Sequence, residues 1–196
     1  VRALVRPVSE PKTSRTARAL VKDDKHPGYG QTSKAALMPR LLFVDDFVGS
    51  GEQFVRTWQR EYDLPGGARN SFEALAELSP ATFFYCNAMT TDYGLKRINR
   101  FIPEVTVSAG NIIPDRYSLA DPASLLWPKA IRADGIALVE AIGRRLGYGA
   151  DDGSEQDWRG FHKLGLALAF QHSVPDANLP IFFTDRNGWR PLVQRL

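Results

Sequence analysis

A chain of 196 residues, 43% hydrophobic and 24% charged, has ordinary globular composition and is long enough for one good core. Its 25 Lys and Arg against 22 Asp and Glu leave a net charge of +3, scattered along the chain; this permits nucleic acid or a small anion as ligand but does not demand nucleic acid. Cys86 is the only cysteine, which excludes an internal disulfide and favours a reducing, cytoplasmic setting, and no apolar stretch approaches the ~20 residues of a membrane-spanning helix.

Residues 1–8 alternate well enough for a strand, 9–14 (Ser-Glu-Pro-Lys-Thr-Ser) break it, and 15–22 have helical composition behind Thr13 or Ser14 as cap. Because the chain opens at Val1 already within an apolar run, an incomplete N-terminal part is expected. Residues 23–35, rich in Gly and polar side chains without apolar period, predict a long loop. A second strand is expected at 41–44, a helix at 52–62 from the spacing of Phe54, Val55, Trp58 and Tyr62, and a short helix at 71–78. Residues 81–89 form an expected third strand, apolar throughout, as suits a sheet covered by helices on both faces; Cys86 belongs to its core packing.

A helix at 93–101 and a fourth strand at 104–109 follow. Residues 119–126 and 130–146 have helical composition, the second interrupted at Gly135, and 164–170 and 179–183 suggest two more strands joined by the polar stretch 172–178. Strands alternating with helices predict an α/β fold with a mostly parallel central sheet and right-handed crossovers. One domain is expected over 1–196, with 147–196 completing the sheet or a hood above it.

The chemistry concentrates at 41–53, Leu-Leu-Phe-Val-Asp-Asp-Phe-Val-Gly-Ser-Gly-Glu-Gln. Asp45 and Asp46 at the end of an apolar strand can hold sugar hydroxyls or a divalent cation, while a Gly-Ser-Gly turn opening a helix offers unpaired N–H groups to a phosphate. A ribose 5-phosphate needs both. Paired acids at such a strand end also suit response-regulator receivers, phosphohydrolases or a structural turn. A phosphohydrolase would want a Lys or Thr ending a later strand, where Thr90 and Thr91 stand.

The stretch resembles the signature of the type I phosphoribosyltransferases, an apolar run, two acids, two apolar residues and a small-Thr/Ser-Gly turn, and follows it through Gly51. The resemblance implies a type I phosphoribosyltransferase fold and a glycosyltransferase acting on phosphoribosyl pyrophosphate (PRPP) or a nucleotide. It places Asp45 and Asp46 on the ribose hydroxyls, and Gly49, Ser50, Gly51, Glu52 and Gln53 around the 5′-phosphate. Gln53 departs from the family's hydroxyl residue, although its amide can donate. Any Mg²⁺ would be held chiefly by ligand oxygens, with Asp45 or Asp46 touching it directly or through water.

Lys22 to Gly28 partly resembles the family's catalytic loop, which implies Lys25 and His26 as donors to the leaving pyrophosphate; Lys12 and Arg15 flank the expected upstream pyrophosphate loop. Residues 172–180, with Gly188-Trp189, resemble a late motif of phosphoribosyltransferase-like proteins of bacterial conflict and antiphage systems. That implies base or partner reading by His172, Asp176 and Asn178, and an effector switched on by a partner protein of a defence system. A noncatalytic module that senses a nucleotide or holds a partner fits the same residues. Trp58, Trp127 and Phe182 suit core packing, and His162 has no metal-site spacing around it.

Overall fold

Buried and exposed positions alternate along residues 40–46, with Phe43 and Asp45 inside and Leu42, Val44 and Asp46 outside, and this period of two makes a strand of Arg40–Val48. The computed structural model describes residues 39–171 and 174–193. The expected strand, helix and loop of residues 1–38, with Lys12, Arg15, Lys25 and His26, lie outside the described residues, as does His172.

From the N-terminal side the elements are β1 (Arg40–Val48), α1 (Glu52–Gln59), a small hairpin of β2 (Tyr62–Asp63) and β3 (Arg69–Asn70), and α2 (Phe72–Leu78); then come β4 (Thr82–Thr91), α3 (Asp92–Phe101), β5 (Val105–Ile113) and α4 (Arg132–Arg145). The main sheet is parallel, in the order β1-β4-β5, with Asp45 opposite Asn87 and Asn87 opposite Ala109. This is the α/β fold with a parallel sheet expected from the sequence. No described helix is long and apolar enough to cross a membrane.

One face of the sheet carries the main core. Phe43 meets Phe54 edge-on at 5.1 Å, Phe54 stacks on Tyr85 at 3.9 Å, and Trp58 stands edge-on to Phe83 at 4.9 Å. Each such pair adds about 0.5–1.5 kcal/mol beyond the area it buries. Ile98 and Ile102 of α3 and Val105 of β5 close this core. The opposite face differs from expectation: Leu42 and Val44 are 57% and 44% exposed, so among the described residues helices cover one face only.

A second core gathers Val139 of α4 with Leu119, Tyr148, Trp158, Leu179 and Ile181, and Trp127, Phe182 and Trp189 pack against it, which places Trp127 and Phe182 where packing is expected. Phe47, Leu166 and Ala177 join the two regions at the C-terminal end of the sheet.

Several expected elements change: the helix expected at 52–62 ends at Gln59 with Tyr62 in β2, and the strand expected at 104–109 runs on to Ile113. β1 runs on through both acids to Val48 instead of stopping at Val44. Residues 119–126 form turns rather than a helix: Pro122 lacks the N–H a helix interior needs, and Asp121 Oδ1 and Ser124 Oγ accept from Ala123 and Leu126 N–H in competing local turns. Residues 164–170 form no strand, only bridge positions at Leu166, which pairs with Asn178, and at Phe170, and Pro180–Phe182 is a 3₁₀ turn with Pro180 at its start. Residues 147–171 and 174–193 therefore add no strand to the sheet. Gly135 leaves α4 whole: a β-carbon there would sit 2.8 Å from the Trp127 ring, so the glycine makes room for the indole.

Candidate functional site

The turn between β1 and α1 is built by backbone constraints that the sequence satisfies locally. Gly51 has φ 73°, a left-handed conformation in which a β-carbon is strained, and it serves as the N-cap of α1 without any side-chain cap bond. Glu52 N–H reaches Ser50 Oγ at 3.3 Å, while the N–H groups of Ser50 and Gly51 meet no acceptor among the described residues. An eight-residue helix whose N-cap residue has no side chain to cap it presents the positive end of its dipole to an anion.

Two residues of the neighbouring βα unit hold that turn. Thr91, at the end of β4, donates its hydroxyl to Gly49 O at 2.6 Å and accepts from Gly94 N–H at 2.9 Å. Gly94 has no side chain because the Gly49 carbonyl lies against it; Gly51 in turn faces the Gly94 carbonyl. Thr91 is thus committed to shaping the turn, the role a strand-end hydroxyl plays when it caps the next helix.

The two acids point to opposite faces of the sheet. Successive strand residues point to opposite faces, so Asp46 is exposed while Asp45 is 6% exposed and accepts the Tyr85 hydroxyl at 2.8 Å. Asp45 Oδ1 also accepts Asp46 N–H at 3.0 Å. Burial outweighs the Tyr85 bond and pushes the Asp45 carboxyl up to about 6, and burial beside this acid raises the Tyr85 phenol far above its ordinary value. Beside Asp45 on β4 stands Asn87, also 6% exposed, whose two amide atoms have no partner among the described residues. Tyr85, Asp45 and Asn87 make a polar row inside an aromatic core.

Glu52 carries the strongest electrostatics. Its carboxylate accepts from His162 Nε2 at 2.8 Å, is paired with Arg56 one turn along α1, and has Arg97 Nη2 3.8 Å away. Hydrogen bonding from His162, then these cations, holds the Glu52 carboxyl below the ordinary glutamate range despite some burial. An ionised carboxylate only accepts, so Nε2 carries a proton, and Tyr93 hydroxyl lies 3.2 Å from Nδ1 on the other side of the ring. His162 sits at φ 55° and Lys163 at φ 60°, two successive non-glycine residues in left-handed backbone, so the contacts hold a strained segment against α1 and α3.

A cavity of about 350 Å³ opens at the C-terminal ends of β4 and β5, with Thr91, Tyr93, Ile113, Arg159, His162 and Leu164 in its wall; none of residues 45–53 lines it. Asp176 is exposed and borders a second cavity of about 320 Å³ with Tyr148, Phe161 and Arg186. Asn178 is fully buried, and its amide bonds both N–H and C=O of Leu168, so its side chain is used by the protein itself. Among the described residues no three His, Cys, Asp or Glu side chains form a metal-binding group.

Residues 41–53 form one strand–turn–helix unit, and Tyr85, Asn87, Gly94, Arg97 and His162, which touch it or pack beside it, carry no role in the sequence reading. Thr91-Asp92-Tyr93-Gly94 held a visible signal, a capping hydroxyl three residues before a glycine. His162 had none, because its partner lies 110 residues away.

A sequence model of the PRTase-CE family matches residues 18–195 of the chain. No curated protein and no solved structure matches it.

Proposed function

The chain belongs to the PRTase-CE family and is phosphoribosyltransferase-like, and from that premise we propose that it binds PRPP, or a nucleotide with the same ribose 5-phosphate, and transfers or cleaves the phosphoribosyl group. The turn at 49–51 carries this reading, because it offers an uncapped helix start pinned in shape by Thr91 and Gly94. The 5′-phosphate would take the opening N–H groups of α1, with Gln53 donating its amide; the helix dipole adds about 0.3–1 kcal/mol to an anion there.

Asp46 would meet the ribose hydroxyls as positive charge develops at C1. Asp45 supports it from beneath by accepting the Asp46 N–H. Lys12, Arg15, Lys25 and His26 would receive the pyrophosphate, and the cavity beside Thr91 has the volume for an acceptor base. Lacking a ligand cluster of their own, the described residues suit a Mg²⁺ held chiefly by PRPP oxygens, with Asp46 touching it through water. The cation would neutralise charge on the pyrophosphate. His172 and Asp176 would read a base or a partner protein, in a cytoplasmic antiphage effector; Asn178 is left out of that role because Leu168 holds its amide.

A second reading, a noncatalytic nucleotide-sensing or partner-binding module, is favoured by the inward turn of Asp45 toward Tyr85. Calorimetry with Mg²⁺ and PRPP, paired with pyrophosphate release across a panel of bases, separates the two. Binding with release supports transfer, and Asp46→Asn should then lower the rate by about 10²–10³. Binding without release supports the sensing module; absence of binding overturns PRPP transfer and PRPP sensing alike.

A further inference from the structure

Two arginines and a histidine converge on one carboxylate at the start of α1, directly after the proposed phosphate turn. Arg56 and His162 bond Glu52, yet Arg97 is poorly served. Its Nη2 stands 3.8 Å from Glu52 Oε2, its Nη1 faces His162 Nε2 at 3.2 Å, and its Nε is buried without a partner among the described residues. Nε2 is already donating to Glu52, so it cannot accept from Arg97. A guanidinium that is 23% exposed, with five donors and no well-placed acceptor, beside an uncapped helix N-terminus, is arranged for an anion larger and more highly charged than one carboxylate.

We propose that Glu52 is an internal counter-anion, held on Arg97 and His162, which a phosphate monoester displaces, so that Arg97 and His162 are phosphate-binding residues of this site. A phosphate brings three acceptor oxygens and close to two negative charges, enough to engage Arg97, the His162 Nε2–H and the opening amides of α1 together. The Glu52 carboxylate occupies one of these donors at a time and repels the incoming dianion. Arg56, 76% exposed and on the same helix face, then remains as its partner when it swings away. Ligand entry would thus exchange one ion pair for another, the phosphate replacing the Glu52 carboxylate as the bridge between the His162 segment and α1.

The inference rests on the ribose-phosphate reading above, and a pair of variants separates the two. Ribose 5-phosphate is titrated into the full chain by calorimetry, with thermal melting as the control for folding. Glu52→Gln removes the competing charge while keeping a side chain that still accepts from His162, and affinity should rise on the order of tenfold. Arg97→Gln keeps Glu52 but deletes the cation, and affinity should fall on the order of tenfold. Binding to wild type with unchanged or weaker affinity in Glu52→Gln, or unchanged affinity in Arg97→Gln, overturns the displacement while leaving the ribose-phosphate site standing. Absence of binding to wild type and both variants overturns both.

Discussion

Gly94 of α3 lies so close to the phosphate turn that a β-carbon on it would come within 2.3 Å of the Gly49 carbonyl oxygen. Alanine ordinarily stabilises a helix interior by about 1 kcal/mol over glycine. Here the carbonyl is backbone, fixed from the other side by Thr91, and cannot step aside as a flexible side chain would. Gly94→Ala is expected to destabilise the protein by about 1–3 kcal/mol, as overpacking does, and to weaken PRPP binding by moving Gly49 to Gly51. Urea denaturation checks the first part; a gain in stability would mean the turn is not packed on α3.

Asp45 makes the stability of the fold depend on pH in the unusual direction. Its carboxyl titrates near 6 in the folded chain against 3.8 for an ordinary aspartate, so between those values the native state binds more protons than the unfolded one. Stability from this group is therefore present below pH ~4 and lost as pH rises through 6, on the order of 3 kcal/mol over the window. Asp45→Asn keeps an acceptor for the Tyr85 hydroxyl and removes the buried charge. The variant should match wild type near pH 4 and exceed it at pH 7.5, as seen by comparing urea midpoints across pH. Equal stability of the two proteins at pH 7.5 would contradict a buried, charge-disfavoured Asp45. A stabilising substitution at an acidic position is the signature of a residue retained for a task other than folding.

The parallel sheet was legible because hydrophobic period reports local packing: 81–89 and 104–109 became strands, and the apolar spacing of Phe54, Val55 and Trp58 became a helix face. The same signal failed at 164–170, where Leu164, Leu166, Leu168 and Phe170 pack against Phe47 at the end of the sheet, and at 179–183, where Leu179 and Ile181 pack against α4; Pro180 has no N–H to give a strand. At the candidate site the turn was readable because its glycines and its position before a helix are consecutive in the chain. The burial of Asp45 was not, since period two alone assigns neighbouring acids to opposite faces without saying which face a core will cover. Tyr85, Arg97 and His162 come from β4, α3 and the segment after α4, and only tertiary structure brings them to Asp45 and Glu52.

Asp157 anchors the segment that delivers His162, and its removal tests whether that segment is held independently of the turn. The side chain is fully buried and takes four donors on two oxygens: Gly153 N–H at 2.8 Å, Arg159 N–H and Nε at 2.9 Å, and Arg159 Nη2 at 3.0 Å. Between Arg159 and Leu166 the backbone passes through positive φ at Gly160, His162, Lys163 and Gly165, a path that persists only where fixed contacts over-determine it. Asp157→Asn replaces an acceptor with an NH₂ group facing donors and leaves Arg159, 23% exposed, with Asp151 as its remaining carboxylate partner. A loss of about 1–3 kcal/mol is expected, as for leaving buried donors without their acceptor. The 159–165 path would relax with it, so that hydrogen exchange at His162 and Lys163 amides speeds up. Urea denaturation at neutral pH measures the first effect and exchange the second. A cost below about 1 kcal/mol with unchanged exchange would show that Glu52, not Asp157, is what holds His162 in place.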